Sequence, residues 1–412
     1  MKRDISFWSR ASGVVASSLS LILLFWNLAA NAWAVVSFHQ EQKYFSMGLF
    51  LFLILSSSML LQGFSWLWYT ESSEKMDSNN EVKLINVLHV LQLGVFYRCL
   101  CMLELSVISF KQKDTFPSGD PETLSYDLST LGLFKAFSES APQIVLMMTN
   151  IIQVQDLQLF TVIKIISSLS SLSFTVLSYH RSMCTFLADK REMGWSSSVL
   201  YFLWNLFLIG PRVVSVSLFA SELPCYIAAH FLSLWTLLVL WAWWQKTDFM
   251  ESKAGEWLYR ATVGIIWYFS WFNVVSRSNR HKAVIYHVVM GTDTTLLIGL
   301  WWWKRSVESA RLSPLPINPY LLIALLVTIY VIGVLLKLVY YWKFHPKHAD
   351  LQMDKKDKML QMKPQEQSYE TVDSNVKPEN EPGLILMAAP LSQSTPTGIQ
   401  KRMRNMAENF YC

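Results

Sequence analysis

The chain has 412 residues, of which 52% are hydrophobic and only 16% are charged. Soluble globular domains carry about 25% charged residues. The apolar residues fall in long runs, which is typical of membrane proteins and excludes an ordinary soluble domain. The net charge of +5 lies mainly in the loops and the C-terminal tail, so it indicates a surface beside anionic lipid and not a nucleic-acid-binding protein.

Two long apolar runs open the chain. The first, residues 14–36, follows Lys2, Arg3 and Arg10 and is too long for the core of a signal peptide, so we expect a retained transmembrane helix. The second covers residues 45–69, and the short loop between the two would face outside. A spanning helix needs about 20 apolar residues, and both runs meet that length.

Two weaker segments follow, at residues 84–110 and 124–152, each with charged residues in its interior. Because a charge in the hydrocarbon core is costly, we expect this pair to enter the bilayer without crossing it, or to lie buried within the bundle. Six further strong runs complete the series, at residues 157–177, 199–220, 225–244, 258–275, 284–303 and 320–342.

The ten segments predict an all-α polytopic membrane domain over residues 1–343, with about eight transmembrane helices and two partly inserted ones. Eight crossings place both termini on one side. The region after residue 343 is rich in Lys and Arg, so the positive-inside rule places both termini in the cytoplasm. Residues 344–412 are polar and Pro-rich, and we expect a mostly disordered regulatory tail.

Four ionisable residues stand inside the apolar segments: Arg98, Glu139, Arg212 and Asp293. Such a residue costs at least about 2.5–3.5 kcal/mol at the centre of a spanning helix, so it marks either a functional path or a structural pair between helices. Lys135 precedes Glu139 by one turn, which allows the two to pair. Asp293 has apolar residues on both sides and therefore needs a cation or a water-filled path.

The remaining polar residues indicate no catalytic or metal site. The five cysteines show no disulfide or metal-ligand spacing, and His89 and His230 are interpreted as packing residues in apolar helices. The sequence lacks a GxxxxGK phosphate loop, an EF-hand loop and an HExxH motif. We expect no metal, no cofactor and no enzymatic activity on covalent bonds.

Six strings, in their order and spacing, resemble the XK-related family of phospholipid scramblases. They are LQLGVFYRCL (91–100), DLSTLGLFKAFSESAPQ (127–143), YFLWNL (201–206), EWLYR (256–260), YFSWFNV (268–274) and VYYWKFHP (339–346). The similarity is greatest to the caspase-activated scramblases of apoptotic cells. It implies eight membrane helices and two partly inserted helices, arranged as two similar halves.

The resemblance implies a stepped hydrophilic path for lipid headgroups, formed by Arg98, Glu139, Arg212 and Asp293. This chain departs from the family pattern on the first helix, where Asn27 and Asn31 replace two acidic residues, and at Lys135, which replaces a Glu. Asn still offers hydrogen-bond donors and acceptors, so these three residues are also expected to line the path, which is then less acidic.

The resemblance also connects the tail with activation by an executioner caspase. Residues 370–374, ETVDS, match the acidic residue, two spacers, Asp and small residue that these proteases favour, so we expect cleavage between Asp373 and Ser374. Further along, four apolar residues fall on one face of an expected autoinhibitory helix: Ile399, Met403, Met406 and Phe410.

Partners and location follow from the resemblance as well. It implies a plasma-membrane protein that exposes phosphatidylserine on dying cells and reaches the surface with a single-span chaperone of the basigin or neuroplastin type. Two alternatives stay open from the sequence. The chain could be a docking subunit for another protein, or a small-solute transporter with a site at the midplane of the membrane.

Overall fold

The computed structural model describes residues 2–72, 79–111, 120–154, 159–186, 194–274, 279–307 and 318–343. Within these ranges the chain is helical and contains no strand, so the expected all-α polytopic fold is confirmed. The expected cleavage site at Asp373 and Ser374 lies outside the described residues, as does the expected tail helix of Ile399, Met403, Met406 and Phe410.

Twelve α-helices are described in these ranges: α1 (Lys2–Gln40), α2 (Tyr44–Ser72), α3 (Asn79–Val90), α4 (Gly94–Lys111), α5 (Asp120–Lys135), α6 (Ala141–Val154), α7 (Leu159–Phe186), α8 (Trp195–Glu222), α9 (Pro224–Trp244), α10 (Lys253–Phe269), α11 (Asn279–Val307) and α12 (Pro319–Lys343). A π-helical turn, Ala136–Ser140, joins α5 to α6. Seven of these helices are long and apolar enough to cross a membrane: α1, α2, α7, α8, α9, α11 and α12. Each coincides with a strong run of the sequence.

The first weak segment, residues 84–110, forms a re-entrant hairpin of α3 and α4. The two helices meet at Gln92, whose φ of 62° reverses the chain and whose carbonyl accepts from Gln62 Nε2 in α2 at 2.9 Å. From there α4 runs antiparallel to α1, with Phe96 against Phe25. The segment therefore enters the bundle and returns to the same end, as predicted.

The hairpin turn requires glycine at position 94. A Cβ there would collide with the imidazole of His89. That ring cannot move aside, because Nδ1 donates to the Ile85 carbonyl at 2.8 Å and Nε2 accepts from Ser65 Oγ at 2.9 Å. The close approach of Gly94 to His89 thus fixes the sharp reversal of the chain.

The second weak segment, residues 124–152, is buried within the bundle and not partly inserted. In the middle of the rod formed by α5 and α6, Ser138 Oγ and Ser57 Oγ of α2 are 2.7 Å apart. Near the rod's end, Asn150 Oδ1 accepts from Ser46 Oγ at 3.2 Å. Because the rod follows α2 antiparallel over these contacts, it covers the same depth as that apolar helix.

The run at residues 258–275 does not give the expected crossing. Its helix, α10, has 17 residues, or about 25 Å, which is shorter than the roughly 30 Å hydrocarbon core. It packs antiparallel to α9, with Trp235 Nε1 donating to the Ala261 carbonyl at 2.9 Å. The partly inserted elements are therefore α3–α4 and α10, one in each half of the chain.

The core lies between α2, the α5–α6 rod, α8 and α10. The largest fully buried side chains of this core come from α2, the α5–α6 rod and α10, and include Phe134, Phe137, Tyr259 and Trp267. By contrast, α1 is attached loosely: only 6% of its spanning window is buried, against 56% for α8. One side of the bundle therefore presents α1 to lipid with little protein cover.

Candidate functional site

The seven residues predicted to line a path fall into three groups at the depth of the apolar helices. Arg98 lies in the first group, and Arg212 and Asp293 lie together in the second. The third group brings together α1 and the junction of α5 with α6: Asn27, Asn31, Lys135 and Glu139.

In the first group, Arg98 of α4 is fully engaged. Its Nη1 donates to Asp127 Oδ2 of α5 at 3.0 Å, and Nε and Nη2 donate to the hydroxyl and the carbonyl of Ser65 in α2 at 2.8 and 2.9 Å. The guanidinium also lies 3.9 Å from the centre of the Tyr69 ring. Arg98 and Asp127 are only 3% and 5% exposed, so this pair is sealed from lipid.

Arg98 therefore ties three elements together. It joins the returning arm of the hairpin to α2 and to the start of the α5–α6 rod. Sequence reasoning missed Asp127, which stands at the edge of an apolar run where a charge is unremarkable. The sequence did contain a signal that could have identified it. A buried arginine needs a carboxylate, and Asp127 is the first residue of the string DLSTLGLFKAFSESAPQ (127–143).

In the second group, Arg212 of α8 meets the carboxylate of α11. Nη1 donates to Asp293 Oδ2 at 2.6 Å and to Thr294 Oγ1 at 3.1 Å, and Nε donates to the Tyr268 carbonyl at 3.0 Å. That carbonyl is available because α10 ends there, and a helix leaves its last carbonyls unpaired and favourable to cations. Asp293 thus has the cation that its position requires.

His230 of α9 completes this group. Its Nε2 donates to Asp293 Oδ1 at 3.0 Å, and Nδ1 lies 3.1 Å from the Tyr268 hydroxyl. The side chains of Asp293 and His230 are 19% and 18% exposed, whereas that of Arg212 is 4% exposed. The cation is buried, and the carboxylate and imidazole reach the protein surface. The interpretation of His230 as a packing residue missed this position.

The third group is a chain of hydrogen bonds between α1 and the rod. Lys135 Nζ donates to Asn27 Oδ1 at 2.7 Å, and Asn31 Nδ2 donates to Glu139 Oε1 at 2.8 Å. The two asparagines are linked by a longer contact of 3.5 Å. The direct pair between Lys135 and Glu139 that their spacing allowed does not form.

The π-helical turn explains why that pair is absent. The turn covers Ala136–Ser140, so it begins directly after Lys135 and contains Glu139. Its i→i+5 bonding removes the alignment that residues four apart have on an α-helix. Ser138 in the turn is fixed to Ser57 of α2. Isolated π turns occur frequently at functional sites.

This third group lies at the boundary between protein and lipid. Asn27, Asn31 and Lys135 are half-buried, and Glu139 is buried behind them. On either side along α1, Trp26 and Trp33 are exposed. Polar groups are therefore reachable from the lipid face at the depth of the hydrocarbon core.

Comparison with known proteins decides the family. The chain matches the family described as XK-related protein over residues 15–346. It belongs to the XK-related family. Among relatives named XK-related protein 8, that of Tetraodon nigroviridis is 39% identical over 344 residues, covering 81% of this chain and 83% of the relative. Those of Gasterosteus aculeatus and Pan troglodytes are 38% and 36% identical, covering 77% and 81% of this chain and 80% and 83% of the relatives.

The family match spans all three groups and confirms the resemblance seen in the six strings.

A further polar contact at membrane depth was overlooked in the sequence. Lys337 of α12 donates to His287 Nε2 at 2.6 Å and lies 5.0 Å from the centre of the Trp204 ring. This lysine was overlooked because it stands close to the basic end of the last apolar run.

Lys164 is a further charged residue, in the apolar helix α7. It is exposed and lies close enough to the α1–α2 loop to act on Glu41. There the ammonium of Lys43, 2.7 Å away, holds the pKa of the Glu41 carboxyl below its ordinary value, and Lys164 makes a smaller contribution. Lys164 therefore belongs to the loop end of the bundle.

Proposed function

We propose that this protein is a phospholipid scramblase of the plasma membrane, which lets headgroups cross between leaflets without an energy source. The barrier to crossing is the loss of hydration of a charged headgroup in hydrocarbon. The observation that carries the proposal is the third group, in which half-buried Asn27, Asn31 and Lys135 offer polar atoms to lipid at that depth. Acyl chains can stay in the bilayer while the headgroup follows these residues.

The second group supplies a further polar surface, through Asp293 and His230. Arg212 is buried behind them and holds the carboxylate in place. We assign Arg98 a different role, because all its nitrogens are engaged and it is closed to lipid. Its task is to hold the re-entrant hairpin against α2.

Purified protein in lipid vesicles, before and after cleavage by an executioner caspase, tests this proposal directly. A scramblase brings fluorescent lipids of the inner leaflet to the outer leaflet, where a membrane-impermeant reductant quenches them. Asp293→Asn and Arg212→Gln should each slow this transfer about tenfold or more. Asp293→Asn leaves the buried Arg212 without its counter-charge, and Arg212→Gln releases the carboxylate that Arg212 holds in place. Unchanged transfer in both variants would exclude the second group from the path.

A matched control is available on the same two helices. Glu222 of α8 accepts from Arg305 Nη1 of α11 at 2.6 Å, near the ends of these helices. Glu222→Gln removes a similar pair outside the central groups, so transfer should stay close to that of the unchanged protein. A docking subunit or a small-solute transporter would transfer no lipid in any of these samples.

We propose further that caspase cleavage releases a brake. A scramblase that is always open would abolish lipid asymmetry, and the sequence places a suitable site at Asp373 in the tail. Asp373→Ala should stay intact and expose no phosphatidylserine in dying cells, whereas a chain ending at Asp373 should expose it without a death signal. If that shortened chain reaches the surface and remains silent, the brake does not exist.

A single-span chaperone of the basigin or neuroplastin type is proposed as the partner, with both termini of this chain in the cytoplasm. Support comes from α12, whose exposed apolar residues include Leu321, Leu325 and Leu335. Such a face accepts either lipid or another membrane helix. Surface biotinylation in cells that lack both chaperones should recover little protein; normal recovery would remove this partner from the proposal.

A further inference from the structure

The last helix carries an ammonium that turns away from water. Lys337 lies six residues before the end of α12 at Lys343, about 9 Å along the helix axis. A lysine so close to the end of a membrane helix normally extends its side chain to the membrane surface. Lys337 is instead only 8% exposed, and its Nζ donates to His287 Nε2 of α11 at 2.6 Å.

Lys337 has no carboxylate partner in the part of the chain that the structure describes. Its contacts there are the imidazole of His287 and the face of the Trp204 ring, whose centre lies 5.0 Å from Nζ. An acceptor nitrogen and an aromatic face stabilise a cation without neutralising it. Because a buried charge without a counter-charge is costly, this position favours a ligand that brings negative charge.

His287 carries the positive character of this pair to the lipid boundary. Since Nε2 accepts from the ammonium, the hydrogen of the neutral imidazole lies on Nδ1. Among the described residues, Nδ1 has no hydrogen-bond partner. His287 is half-buried, and its neighbours Val284 and Val288 are both 62% exposed. An N–H donor with a cation behind it is therefore accessible from the lipid.

The packing of α11 and α12 leaves room for a ligand at this end of the two helices. Near their other end, an apolar cluster on α8 joins Trp301 of α11 to Leu326 of α12. Near the tail, the corresponding cluster combines residues of α8 and α12, such as Leu208 and Tyr340, and no described residue of α11 belongs to it. The ammonium–imidazole contact joins α11 to α12 there, and the space beside it faces the leaflet on the tail side.

We propose that His287, with Lys337 behind it, binds the phosphate of an anionic phospholipid in the cytoplasmic leaflet. Nδ1–H donates to a phosphate oxygen, and the ammonium supplies the opposite charge. The acyl chains lie between α11 and α12, and the lipid stays bound as a ligand and is not transported. Basic sites between membrane helices on the cytoplasmic side bind anionic headgroups in this way. The site does not depend on the scramblase function proposed above.

The charge of the headgroup determines which lipid binds best. Phosphatidylinositol carries a phosphate and hydroxyls but no cation. Phosphatidylcholine has the same phosphate, but its trimethylammonium brings a second cation close to Lys337. A hydrogen bond to a charged group corresponds to about tenfold or more in affinity. Phosphatidylinositol should therefore bind about tenfold more tightly than phosphatidylcholine.

The purified full chain in detergent micelles tests this site. The unfolding temperature is followed by tryptophan fluorescence while either lipid is added, because a ligand of the folded protein raises that temperature. We expect phosphatidylinositol to reach half of its effect at about a tenfold lower mole fraction than phosphatidylcholine. His287→Phe and Lys337→Met should abolish this difference, whereas Lys337→Arg, which keeps the charge, should preserve it.

Lys337→Met is the decisive variant if His287→Phe does not fold. It replaces a buried cation by an apolar side chain of similar size, which is often neutral or stabilising. Two controls change exposed residues near the same side of the bundle, His281→Phe on α11 and Lys253→Met on α10, and both should retain the difference between the lipids.

Three results would overturn the site. They are equal effects of the two lipids on the unchanged protein, a difference that survives Lys337→Met, and a difference lost equally in the two control variants. Inorganic phosphate is added in a parallel series to distinguish a lipid from a soluble anion. It should leave the unfolding temperature unchanged, and a rise equal to that with phosphatidylinositol would mean that the ligand is not a lipid.

Discussion

At the scale of single residues, the buried charges of this bundle differ in how completely the protein satisfies them. Arg98 uses Nε, Nη1 and Nη2 on α2 and α5. Lys135 uses one donor and is half-buried. A charge satisfied by the protein stabilises the fold, whereas a charge with spare capacity is available to lipid. The two arrangements should therefore respond differently to substitution.

Asp127→Asn tests the first arrangement. It leaves the Arg98 guanidinium buried without its counter-charge, and breaking such a pair costs about 3–5 kcal/mol. We expect a marked fall in the unfolding temperature in detergent, followed by intrinsic tryptophan fluorescence. Glu41→Gln is the comparison, because the Glu41–Lys43 pair is largely exposed and such pairs contribute about 0–1 kcal/mol. Similar, small losses in both variants would contradict the assignment.

All seven path residues could be placed at membrane depth from the sequence, because charges and amides stand out in apolar runs. Their partners could not be found in the same way. Asn27 and Lys135 are 108 residues apart, and no local pattern connects them. The π turn that keeps Lys135 from Glu139 is likewise invisible in the spacing, which is that of an ordinary helical pair.

At the scale of elements, hydropathy identified apolar segments but not what each segment faces. The run at residues 258–275 is apolar because α10 is buried in protein, where Val263 and Trp267 are inaccessible. The rod of α5 and α6 carries charge in its interior and still follows α2 through the bundle, because Glu139 and Asp127 have partners there. Hydropathy alone therefore predicted a crossing for the segment of α10 and none for the rod, whereas the structure shows the rod, and not α10, following a spanning helix.

Close packing between α8 and α12 gives a prediction at this scale. A Cβ on Gly333 would lie 3.0 Å from the backbone carbon of Phe207, so Gly333→Leu must separate the helices. Overpacking of this kind costs typically about 1–3 kcal/mol, and the unfolding temperature should fall. Gly299→Leu on α11 is the matched control, since nothing lies within 4 Å of that position; equal shifts would argue against tight α8–α12 packing.

At the scale of the whole molecule, the order of crossings decides which loops share a side with the tail. With α3–α4 and α10 re-entrant and the α5–α6 rod crossing, the connections at residues 112–119, 187–193 and 245–252 all fall on the tail side. These connections contain Lys113, Lys190, Arg191 and Lys246. The positive-inside rule therefore agrees with this order and predicts that this side faces the cytoplasm.

In the order expected from the sequence, neither weak segment crosses and the run at residues 258–275 does. That order predicts the opposite side for four connections, at residues 155–158, 187–193, 223 and 245–252, of which the first two are convenient for labelling. It predicts residue 155 in the cytoplasm and residue 189 outside, whereas a crossing rod, with both termini in the cytoplasm, predicts residue 155 outside and residue 189 in the cytoplasm. Single cysteines at these positions, Gln155→Cys and Asp189→Cys, distinguish the two orders when the five native cysteines have been replaced by serine.

An impermeant maleimide applied to intact cells should label Gln155→Cys and spare Asp189→Cys, and permeabilised cells should show both. This result follows because the rod runs antiparallel to α2 and ends beside the start of that helix, where Asn150 meets Ser46. Labelling of Asp189→Cys alone would mean that the rod stops short of crossing. It would also remove the support for placing Lys135, in the middle of the rod, at the depth of the hydrocarbon core.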